Sequence, residues 1–173
     1  MTELAYKFTK PGAVSPFTGF EWPVGEWVEV EGEVGLCANG VHACRIAALP
    51  RWLDDELWQI EVDEVAEERE GVVIARRGRL VRRIDAWDDL ASRELARSCA
   101  RQARELAERV PDPRVQARAT MIAAIAEGHD PSATALSMYT TAHMFDDVEP
   151  GSYYEERRRQ ADWLRDRLGL DGA

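Results

Sequence analysis

The sequence predicts an α+β protein, with a mixed or antiparallel sheet of about five to six strands in residues 1–85. That sheet packs against a bundle of about four helices in residues 86–173, and the two halves form one cooperative domain. Three observations carry the prediction. Up to residue 84 the apolar positions alternate at period two between glycine- and proline-rich breaks; from Asp88 onward they recur at helical spacing. Five of the six tryptophans lie at or before Trp87, where a sheet face needs bulk to meet alanine-rich helices. The 173 residues, 45% of them hydrophobic, suffice for one core without disulfide staples.

Residues 5–34 are interrupted by Pro11-Gly12, Pro16, Gly19, Pro23, Gly25 and Gly32, with aromatic residues between them, a pattern of short strands and ordered loops. Trp27-Val28-Glu29-Val30-Glu31 alternates as a half-buried strand and leads into Gly35–Cys44. Asn39-Gly40 predicts a type I′ turn there, because both central positions of that turn need positive φ. Counting outward pairs Cys37 with His42 and Gly35 with Cys44. After a short helical piece broken at Pro50, residues 57–63 form a strand and residues 64–71 a polar connection. Residues 71–75 and 79–84 form a second hairpin turning at Arg77-Gly78. Four helices follow. The first runs from Asp88 to Val110, with Leu95, Cys99, Ala103 and Leu106 along one stripe, and the second from about Val115 to Glu127 with Gly128 as its cap. A third opens on Asp130-Pro131 and carries Leu136, Tyr139 and His143 along one side; the fourth runs from about Ser152 to Leu168 and stops at Gly169.

A net charge of −10 argues against nucleic acid, whose phosphates need a basic face. No apolar run approaches the roughly 20 residues that cross a bilayer, and the first residues lack the regions of a signal peptide. A cytoplasmic protein is the expectation, and three cysteines, an odd number, fit free thiols or metal ligands better than a disulfide framework.

Side chains alternate along a strand, so the predicted hairpin sets Cys37, His42 and Cys44 on one face, beside the gap left by Gly35. In a catalytic reading Cys37 is the nucleophile and His42 its base, giving thiol-based group transfer. In a metal reading Cys37, His42 and Cys44 hold zinc, closed by water or by a fourth ligand from Cys99, His129 or His143. In the plainest reading the thiols simply pack. Gly35, Asn39 and Trp22, the last in a loop open to solvent, together with Tyr139 and His143 on the third helix, complete the candidate binding residues.

The element Cys37-Ala38-Asn39-Gly40-Val41-His42-Ala43-Cys44, preceded by Gly25-Glu26-Trp27, resembles small uncharacterised domains of bacteria and their phages with a Cys-x-x-Gly-x-His-x-Cys element. The resemblance covers residues 5–63 and implies no established activity. The strand, turn, short helix and strand around it are similar to the core of ADP-ribosyltransferases, which implies fold alone. The closing helix, with Glu155, Glu156, Arg157, Gln160, Trp163 and Leu164, looks like the ends of alanine-rich helical domains in actinobacterial proteins.

The functional expectation is a pocket between sheet and helices, centred on Cys37, His42 and Cys44, that binds a small molecule and leans toward chemistry on it, thiol-based or metal-assisted. The alternative is a non-catalytic interaction module, an immunity or accessory protein whose acidic surface meets a basic protein partner.

Overall fold

The structure, a computed structural model, describes residues 1–35, 39–128 and 130–171. Five strands come first: β1 (Glu3–Thr9), β2 (Val28–Glu29), β3 (Val41–Cys44), β4 (Glu56–Arg69) and β5 (Val72–Arg83), with a 3₁₀ segment, Ile46–Arg51, between β3 and β4. Four helices follow: α1 (Asp89–Arg109), α2 (Pro113–Ile125), α3 (Pro131–Val148) and α4 (Tyr153–Leu168). The expected α+β division is present, and the change of pattern near residue 85 is where strand gives way to helix. No helix among the described residues is long and apolar enough to cross a membrane.

All pairings are antiparallel, in the order β2-β5-β3-β1-β4, and β4 also pairs with β5. The ladder therefore returns on itself, and the sheet has an inside. Ala5, Val41, Ala43, Ile60, Val62, Val73, Ala75 and Leu80 fill it, with Trp22 and Trp58 in the same cluster. Tyr6, Phe8, Cys44, Leu57, Val72 and Ile74 point the other way, onto the 3₁₀ segment, α1, α3 and α4. A third cluster joins α1, α2 and α3 through Ala96, Ala103, Leu106, Ile122 and Met144.

Gly78 stands where this inside leaves no room for a side chain. It lies in mid-strand opposite Val62, and a Cβ there would stand 2.6 Å from Val41 Cγ1 and 3.3 Å from Ile60 Cδ1. The Arg77-Gly78 turn expected from sequence is therefore absent, and β5 runs straight through it. The chain reverses at Glu70-Gly71 instead, with φ of 51° and 78°, the double positive φ of a type I′ turn. The glutamate-rich stretch read as a polar connection is the second half of β4.

Helix starts follow the sequence closely. Asp88 and Asp130 each accept a hydrogen bond from a backbone N–H three residues on, at 2.8 Å in both cases, and proline opens α2 and α3. The buried side of α3 differs from the expected one: Ser137, Met138, Thr141 and Ala142 face the core, whereas Leu136 and Tyr139 stand outside. The small alcohols pack where α1 and α4 come close, and the larger rings are left for the surface.

Candidate functional site

The loop before β3 departs from the predicted hairpin. Gly35 pairs with Asn39, its N–H donating to the Asn39 carbonyl at 2.8 Å, so Gly35 does not face Cys44. Cys44 pairs instead with Tyr6 of β1 and Val72 of β5. Asn39 is spent on the acidic loop, its amide donating to the carbonyls of Glu31 at 2.6 Å and Glu33 at 3.2 Å. Asn39 does not have positive φ, which a type I′ turn requires. Local turn chemistry lost to tertiary pairing, since β3 finds both neighbours in β1 and β5.

Of the three hairpin side chains, Cys37 lies outside the described residues. His42 and Cys44 do share a face, as alternation requires. Cys44 is sealed among Tyr6, Phe8, Leu49 and Val72, and burial pushes its thiol up to about 12, with Lys7 and Arg51 only partly offsetting this. Cys99 in α1 is equally sealed and is also pushed up to about 12 by burial. His42 is half-buried; its Nδ1 stands 3.0 Å from the Gly40 carbonyl, which fixes Nδ1 as the protonated nitrogen. Its Nε2 is buried with no hydrogen-bond partner among the described residues. Among those residues no group of three or more His, Cys, Asp or Glu is placed to hold a metal ion. His129 lies outside the described residues.

Trp22 is buried, against the expectation of an open loop position, with its Nε1 donating to Ser15 Oγ at 2.8 Å. The loop that carries it is pinned by Glu56, whose carboxylate accepts from the Gly12 and Ala13 N–H groups and from Trp58 Nε1. Burial would raise the Glu56 pKa, but these donors and Arg83 hold it below the usual carboxylate range. Beneath Trp22, Lys7 extends from β1 with Nζ 5.3 Å from the indole and donating a hydrogen bond to the His42 carbonyl at 2.9 Å. Desolvation lowers this lysine to about 8.

Tyr139 and His143 do come together with partners that sequence reading missed. Their rings are 4.4 Å apart, and His143 lies 4.9 Å from Tyr153 at the start of α4, which in turn meets Tyr154 at 5.3 Å. Between the two helices sits the Arg157 guanidinium, 5.4 Å from the Tyr153 ring and 5.9 Å from the Tyr139 ring. Arg157 is only 7% exposed. Its Nη1 donates to the Pro50 carbonyl at 3.3 Å and to Gln160 Oε1 at 3.0 Å, and its Nε to the Tyr153 hydroxyl at 3.2 Å. Gln160 is held in turn by Glu156, itself paired with Arg159. All of these acceptors on Arg157 are neutral: among the described residues it has no carboxylate within ion-pair distance. Among the described residues this is a buried, fixed cation without a counter-ion, walled by aromatic rings of which Tyr139 is half exposed, an arrangement suited to recognising an anion. The sequence signal for it was the spacing Tyr153-x-x-x-Arg157-x-x-Gln160, three polar or amphipathic residues on the inward face of a helix.

Residues 3–92 match the family described as a domain of unknown function, DUF7666. The chain belongs to the DUF7666 family. No curated protein and no solved structure matches it. The DUF7666 segment contains every strand, the 3₁₀ segment and the first residues of α1. Pro50 therefore belongs to it, while Tyr139, His143, Tyr153 and Arg157 lie beyond the matched residues.

Proposed function

We propose that this DUF7666 protein binds a small molecule carrying both an anionic group and an aromatic ring at the junction of the 3₁₀ segment with α3 and α4. Arg157 supplies the charge, and Tyr139, His143 and Tyr153 supply the rings. The observation that carries this reading is the burial of the Arg157 guanidinium against neutral acceptors alone. A carboxylate or phosphate would complete its charge, and a charge-assisted bond in such a setting is about twice as strong as a neutral one. This reading moves the centre of the small-molecule site expected from sequence from the thiols to Arg157. Binding without turnover is the better reading here, because both described thiols are sealed and held protonated. A cytoplasmic setting belongs to the same proposal, supported by the odd number of cysteines.

The test is calorimetric titration of phenyl phosphate and benzoate into the protein and into Tyr139→Ala and Arg157→Gln. Tyr139 is half exposed, so its removal should leave stability within about 0.5 kcal/mol while weakening binding several-fold. Equal affinity in all three proteins would remove the proposal.

A second reading rests on His42. Its protonated Nδ1 leaves Nε2 as a buried acceptor with no described partner, which suits a base or a metal ligand, zinc foremost, working with Cys37. Alkylation of Cys37 at neutral pH, at a rate that falls when His42 is changed to Ala, would support it. A Cys37 thiol that reacts no faster than free cysteine would not.

A further inference from the structure

Arg93, Arg97, Arg101 and Arg104 project from successive turns of α1, and none of them forms an ion pair among the described residues, although the protein carries ten more acidic than basic charges. Other arginines are matched, as where Arg45 meets Glu3 and Glu68, Arg77 meets Glu29 and Asp63, and Arg118 meets Asp147. Four unmatched arginines in succession along one helix concentrate positive charge on it. Arg97, Arg101 and Arg104 rim a hollow of about 260 Å³ between α1 and the end of α2. Ala100, Ala123 and Ala126 complete its lining, and their small side chains leave room for a ligand beside the arginines. Arg93 opens instead on a second hollow where Asp55, Asp85, Asp88 and Asp89 already supply negative charge.

We propose that the α1–α2 hollow is a binding site for a small polyphosphate, independent of the Arg157 site. From residue 97 to residue 104 a helix rises about 10 Å, the length over which two or three linked phosphates extend. Three forked cations at that spacing bind such a chain cooperatively, and their planar donors match phosphate oxygens. Glu127 stands on the same rim and opposes the anion, so it sets an upper limit on affinity in the natural protein. A long nucleic acid fits less well, since it extends beyond one Debye length of about 10 Å and meets the net negative charge of the rest of the surface.

The experiment is titration of sodium tripolyphosphate into the full chain at low and physiological salt, with a 20-nucleotide single strand as the competing polyanion. Arg97, Arg101 and Arg104 are exposed, so each can be changed to Gln with the thermal melt as a check on folding. Each single change should weaken tripolyphosphate binding about tenfold and the triple change should abolish it. Glu127→Gln should tighten it, and Arg93→Gln, which removes the same charge outside this hollow, should leave it unchanged. Undiminished binding by the folded triple variant, no binding by the natural protein at millimolar tripolyphosphate, or a preference for the single strand would each overturn the proposal.

Discussion

Lys7 should make this protein more stable in mild alkali. Its ammonium is held inside the closed sheet under Trp22, with a carbonyl as its only hydrogen-bond partner among the described residues, and its pKa falls from 10.5 to about 8. Between those two values the unfolded chain binds a proton at Lys7 that the folded chain does not, so stability rises with pH across that window and is flat below it. The full shift corresponds to about 3 kcal/mol, at about 1.4 kcal/mol per unit while the difference lasts. The thiols of Cys44 and Cys99 act in the opposite sense. They stay protonated in the folded protein up to about 12 but ionise near 9 when unfolded, so each costs stability as pH rises beyond 9. Lys7 therefore leads between about pH 8 and 9, where each half-ionised thiol already takes back about 0.4 kcal/mol, and above that the two thiols outweigh it. Urea unfolding at half-unit steps from pH 7 to 10 should show a net rise of roughly 0.5 kcal/mol from pH 7.5 to 9, then a decline. Lys7→Met should lose the rise and keep the decline, whatever its offset from the unpaired His42 carbonyl. Parallel profiles for the two proteins would refute the argument that this lysine is desolvated.

Three further outcomes follow from particular contacts. In the folded protein at pH 8, Cys44 and Cys99 should resist a disulfide-exchange reagent that labels both at once in urea; rapid labelling of either would show the core open. Gly78→Ala should destabilise by about 1–3 kcal/mol, because its Cβ has no room beside Val41, and Val41→Ala in the same chain should return part of that loss, measured as a double-mutant cycle. Glu56→Gln should loosen residues 10–22 and remove stability that the natural protein keeps above the usual carboxylate pKa and loses as pH falls through the depressed one. The check is the difference between the two acid-unfolding curves together with protease cutting in that loop.

Much of the fold was legible because its signals are local. Asp88, Asp130 and Pro131 announce helix starts through hydrogen bonds within three residues, and the stripe Leu95, Cys99, Ala103 and Leu106 reports a buried helix face directly. Both hairpin turns were misplaced for a common reason. Asn39-Gly40 and Arg77-Gly78 look like turns in isolation, but which residue pairs with which is decided by strands far away in sequence, and closure of the sheet needed a glycine at 78 for space. Glu70-Gly71 did the turning without a distinctive signature, since glutamate seldom accepts positive φ. Of the candidate site, Tyr139 and His143 were found through their helix, although the face they occupy is the outer one. Arg157 was placed on the closing helix but not read as a site residue, because arginine runs usually mean solvated surface; one of its hydrogen-bond partners is the Pro50 carbonyl, 107 residues distant.

The most direct test of the central claim is the ¹H–¹⁵N imidazole spectrum of His143 and the ring spectra of Tyr139 and Tyr153 during titration with phenyl phosphate. Saturable shifts confined to these rings and to Arg157 Nε, lost in Arg157→Gln, are the predicted result. Unchanged ring signals at millimolar phenyl phosphate, or identical shifts in the variant, would contradict it.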